Sequence, residues 1–105
     1  MKNYCVKKYS VEQLDRVQEK LTYLISDKKH TEISLNHYTE RVNACEKMLK
    51  LNEEMRESLS IETYLRNRTN YESDMCSFKE VATRLTINIE NTESEIERLR
   101  EKYCL

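Results

Sequence analysis

The 105 residues include no glycine and no proline, the two residues with which most chains turn, kink or press backbone against a ligand. At ordinary usage about a dozen of them are expected in a chain of this length. Without them a phosphate-cradling loop, a tight two-residue hairpin or a strained catalytic turn has few ways to form. The chain is thereby directed toward long helices, the element that both residues interrupt.

Apolar spacing supports the same conclusion. From Leu14 a 3-4 ladder runs through Val17, Leu21, Leu24, Lys28, Thr31, Leu35, Tyr38, Val42, Cys45, Leu49, Asn52, Arg56 and Leu59. A second runs from Ile61 through Tyr64, Arg68, Tyr71, Met75, Phe78, Ala82, Leu85, Ile89, Thr92, Ile96, Leu99 and Tyr103. Ten of the first fourteen positions and eleven of the second thirteen are apolar, a regularity that predicts coiled-coil packing.

The two ladders differ in phase. Continued beyond Leu59, the first lands on Thr63, Arg66, Asn70 and Ser73, all polar. One uninterrupted helix would carry its stripes on different faces, whereas a chain reversal lets each stripe face the other. The predicted fold is therefore all-α: a long antiparallel helical hairpin or coiled coil, completed into a bundle by a partner or by self-association. The expected elements are an N-terminal arm over 1–10, a first helix over 11–57, a turn over 58–62 and a second helix over 61–105. In an antiparallel pair the facing residue numbers have a constant sum. A sum of 120 centres the turn on Ser60 and sets Leu21 against Leu99, Leu24 against Ile96, Tyr38 against Ala82, Val42 against Phe78, and Asn52 against Arg68. A sum of 113 is the next candidate.

Helix signals appear at both ends of this plan. Ser10 followed by Gln13 reads as a capping box, with Tyr9 and Leu14 spaced as a hydrophobic staple. Ser58 and Ser60 are cap candidates at the turn. Glu12–Arg16, Glu46–Lys50, Glu62–Arg66 and Glu80–Arg84 are i,i+4 pairs, each contributing a few tenths of a kcal/mol. Thr69 and Glu72 offer another cap, so a break near Asn67–Asn70 and a three-helix arrangement is a second expectation.

Composition excludes several function classes. Eighteen basic and nineteen acidic side chains give a net charge of −1, and their mixing leaves no basic stripe for a nucleic-acid backbone. No apolar run approaches the ~18 residues of a membrane span. Cys5, Cys45, Cys76 and Cys104 show no C-x-x-C spacing and read as thiols of a cytoplasmic chain. His30 and His37 stand about 10 Å apart along a helix, too far to share a metal. Asp27-x-x-His30 is half of a di-iron ligand set whose second half is missing. The expectation is no catalytic residue, no metal, no cofactor and no small-molecule substrate; hence no enzyme.

The residues that stand out lie off the ladders. Met48, Leu51 and Met55 on the first helix, Leu59 at its end and Leu65 on the second gather near the predicted turn. Exposed apolar groups in such a cluster mark a contact, and methionine suits adaptable helix packing. These five are the candidate partner-binding residues, and the expected partners are helical proteins, in hetero- or homo-oligomers. Asn52 and Arg68 are the candidate register-setting pair, since a polar group in a seam selects alignment.

The functional expectation is a non-enzymatic coiled-coil subunit that scaffolds or spaces partners within a cytoplasmic assembly of cytoskeletal, ciliary, kinetochore or tethering type. The alternative is a small free-standing bundle acting as a chaperone or cofactor. Tubulin-binding cofactor A is similar in size and in its long polar helices; no motif is shared, and no residues carry over.

Overall fold

The computed structural model describes residues 9–105. Cys5 and all of the expected N-terminal arm except Tyr9 and Ser10 lie outside the described residues. The chain forms an all-α hairpin: α1 spans Val11–Glu54, a 3-10 turn spans Arg56–Ser58, and α2 spans Ile61–Tyr103. Among the described residues there is no strand.

The helix starts follow from their serines. Ser10 Oγ accepts from the Gln13 N–H at 3.1 Å, and the Ser10 N–H donates to Gln13 Oε1 at 2.9 Å, the reciprocal bonding of a capping box. Tyr9 also makes a longer-range contact. Tyr9 packs its ring 4.7 Å from that of Tyr103 and donates its hydroxyl to the Lys102 carbonyl. At α2, Ser60 Oγ accepts from the Thr63 N–H at 3.1 Å and donates to Thr63 Oγ1.

The reversal explains how a chain without glycine turns back. α1 ends at Glu54, three residues earlier than expected, and the backbone tightens into a 3-10 turn closed by Ser58 N–H donating to the Met55 carbonyl. Met55 sits at φ −92° and ψ 7°, and Leu59 is extended at φ −104° and ψ 152°. Both φ values are negative, so no residue here needs the left-handed region that favours glycine. Among the described residues only Cys104 enters that region, at φ 57°. There the Leu105 N–H reaches back to the Arg100 carbonyl at 2.9 Å, the longer of the two bonds in a Schellman end.

The expected break near Asn67–Asn70 is absent, and α2 continues through it. Asn67 instead donates from Nδ2 to Asn52 Oδ1 across the helix pair at 3.1 Å, which anchors a stretch of low intrinsic helicity. Elsewhere Thr31, Thr39, Thr83, Thr86 and Thr92 turn their hydroxyls onto the carbonyl four residues back. None of the four expected i,i+4 ion pairs closes within 4 Å among the described residues; the ion pairs formed are Lys20–Glu95, Lys28–Glu93, Arg56–Glu53 and Arg98–Glu95.

The described residues divide into two compact units, 9–32 with Ile87–Leu105, and Ile33–Thr86. In the first, Val17 and Leu21 of α1 pack on Ile96 and Leu99 of α2, with Leu24 and Tyr103 at the margin. Burial of each such side chain contributes about 1.5–3 kcal/mol. Leu21, Leu24, Ile96 and Leu99 thus share one core. In the second unit the buried residues are Val42, Cys45, Asn52 and Tyr64. Here Tyr38 sets its ring 6.0 Å from Phe78, and Arg41 lies over the same Phe78 ring. Contacts in this unit run from sums of 116 (Tyr38–Phe78) to 120 (Arg56–Tyr64). They centre slightly short of 120.

Candidate surface beside the turn

Heptad position decides which residues meet at the turn end of the second unit. Met48 and Met55 each precede a ladder residue by one, so they lie on one flank of the α1 stripe. Asn67 precedes the α2 ladder residue Arg68 and lies on the corresponding flank of α2. Met48, Leu51, Met55 and Leu59 therefore gather with Asn67 and Tyr71 around a groove of about 90 Å³, floored by Asn52. Met48 is 39% exposed, Leu51 45% and Met55 42%. Four of the five predicted contact residues are thus brought together.

Leu65 is the exception. It is exposed but does not line the groove, because it follows the ladder residue Tyr64 and so falls on the opposite flank of the seam. The groove instead gains Asn67 and Tyr71, which the sequence reading missed. The available signal was the flank rule: a residue one before the α2 ladder shares the side of Met48.

The register-setting pair also rearranges. Asn52 is 5% exposed, and its Nδ2 donates to the Tyr64 carbonyl at 3.1 Å while its Oδ1 accepts from Asn67. Every polar atom so buried needs such partners. Arg68 takes no part; it is exposed, with its guanidinium 5.6 Å from the Tyr64 ring centre. Tyr64, 3% exposed, joins this region together. Its hydroxyl donates to the Glu53 carboxylate, Arg56 lies 5.1 Å from its ring, and Arg56 also pairs with Glu53 at 3.6 Å.

No charged side chain lines the groove. Its walls are apolar with two amides and a phenol, a surface that receives apolar side chains. The histidines serve their own helix: His30 Nδ1 lies 2.9 Å from the Ser26 carbonyl, and Arg41 Nε donates to His37 Nε2. Among the described residues no three His, Cys, Asp or Glu side chains converge to hold a metal ion. No helix among them is long and apolar enough to cross a membrane. Cys45 is a buried thiol and Cys76 an exposed one.

The marked electrostatic perturbation lies in the other unit. Arg98 grips Glu95 through Nε at 2.7 Å and Nη2 at 2.9 Å, and Lys20 approaches at 3.5 Å. The hydrogen bond from Arg98 is the main cause that lowers the Glu95 pKa from its usual 4.5 to about 2. A carboxylate lowered on folding stabilises the fold above its unfolded pKa, and that contribution is lost as pH falls through the folded value. Glu95→Gln is therefore expected to leave the pH dependence of melting unchanged from pH 5 to 8. Between pH 4.5 and 2 it is expected to flatten the decline. Circular-dichroism melts across both ranges check this, and an equal decline in the two proteins at low pH would refute it.

Comparison with protein-family models, with curated protein sequences and with solved structures returns no match for this chain.

Proposed function

We propose that this chain is a non-enzymatic helical interaction subunit, one that holds or spaces partners within a larger cytoplasmic assembly. The observation that carries the reading is the uncharged groove at Met48, Leu51, Met55 and Leu59 in a chain with 35% charged residues. Grouped exposed apolar side chains are costly in water and mark contact surfaces. The thin core supports the same view, since even the buried Val17 and Val42 remain 9% exposed, and two helices alone leave much of their apolar surface wet. A cytoplasmic setting suits thiols such as Cys45 and Cys76.

The test is capture of co-assembling proteins by the full-length tagged chain from cells that express it. Met48→Glu combined with Leu51→Glu is expected to reduce recovery of specific partners at least tenfold, with helix content by circular dichroism unchanged. Equal recovery by the double variant would remove the groove from the reading. Turnover of a small-molecule substrate by the purified chain would replace the reading with an enzymatic one.

A further inference from the structure

The outer edge of the groove contains a complement to itself. Ala44, Met48 and Leu51 of α1, with Met55 one residue beyond its end, are all exposed and follow one another at spacings of four, three and four, the pattern of a second narrow helix stripe beside the seam. If this stripe meets a copy of itself running antiparallel, facing residue numbers sum to 99. Met48 then opposes the partner copy's Leu51, and Ala44 opposes its Met55, small against large. Any 3-4 stripe is symmetric in spacing, so the selective evidence lies in its neighbours. Lys47 and Glu54, both exposed, occupy the outer shoulder of the stripe. In this alignment Lys47 of each copy lies within two residues of register of Glu54 of the other, which makes two oppositely charged pairs by symmetry.

We propose that the occupant of this surface is a second copy of the same chain, joined through an antiparallel α1–α1 contact centred between Leu49 and Lys50. The proposal rests on the reading of the groove as a contact surface and names its partner. A two-fold axis makes every favourable contact occur twice, and a surface without charge at its centre meets itself without repulsion. Two short stripes bury less than the roughly 1,200 Å² of a stable interface. The dimer is therefore weak and concentration-dependent, with a Kd on the order of 10–100 μM.

Sedimentation equilibrium of the purified chain alone, from 5 to 500 μM, is the test, so no other protein enters the result. The wild-type chain is expected to pass from monomer to dimer over this range. Lys47→Glu sets a carboxylate against Glu54 of the other copy, and Glu54→Lys sets an ammonium group against its Lys47; each is expected to weaken dimerisation at least fivefold. The double variant K47E/E54K is expected to restore it. An equimolar mixture of the two single variants is expected to form mixed dimers in preference to either homodimer. A wild-type chain that stays monomeric at 500 μM overturns the proposal, as does a dimer indifferent to both charge changes. Monomeric behaviour combined with groove-dependent capture of another protein would discard the second copy and keep the interaction-subunit reading; loss of groove-dependent capture would discard that reading.

Discussion

Replacing Tyr64 with alanine is expected to cost about 3–5 kcal/mol of stability. Tyr64 is 3% exposed and carries Arg56 and Arg68 over its ring. Removing it empties the space between the helices beside the turn and leaves Glu53 without its hydroxyl donor. A small helical hairpin has little stability in reserve, so the variant is expected to be substantially unfolded at room temperature. Tyr64→Phe separates the causes: the ring stays and only the bond to Glu53 is lost, for a cost of about 0.5–1.5 kcal/mol. Urea titration followed by circular dichroism measures both. A Tyr64→Ala cost no greater than that of Tyr64→Phe would show that the ring contributes little by packing.

Leu21→Ala is expected to have the second effect in size, about 2–4 kcal/mol, toward the lower part of the range for leucine truncation because this core is open enough to relax. Leu21 is 4% exposed and shares its cluster with Val17, Ile96 and Leu99. Two helix segments are held by this one cluster, so amide exchange is expected to accelerate at 11–32 and at 87–103 together. Acceleration limited to the α1 segment would mean that the α2 segment owes its order to something other than this packing.

The helical stripes are legible in the sequence for a simple reason. Val17, Leu21, Val42, Cys45, Asn52, Tyr64, Thr92, Ile96 and Leu99 are buried among the described residues, and all of them are ladder positions. A helix that buries one stripe writes that stripe into the chain every 3.5 residues, and the spacing alone is enough to find it. Tyr64 was visible as a ladder position, yet its bond to Glu53 was not. Glu53 stands one residue outside the stripe, and periodicity says nothing of what a side chain there can reach. Nearness to the turn groups Leu65 with Met48, but the sides of the seam differ according to whether a residue precedes or follows its ladder neighbour. The ladder marks Asn52 as an inward polar group, but its side-chain partner Asn67 stands beside the α2 stripe and not on it. The end of α1 was misplaced because a 3-10 turn uses the same residue types as the last turn of an α-helix.

The turn itself bears on how copies of this chain are permitted to meet. Only Leu59, at ψ 152°, departs far from helical geometry between the 3-10 turn and the Ser60 cap, so the hinge is short and chemically undemanding. Short hinges of this kind invite arm exchange, in which one molecule straightens and inserts its second arm into a neighbour. The offset between the two apolar stripes opposes that outcome: a straightened molecule would present Thr63, Arg66 and Asn70 where the neighbour's seam calls for leucine. Protection against entanglement is thus written in the register of the sequence and not in the hinge.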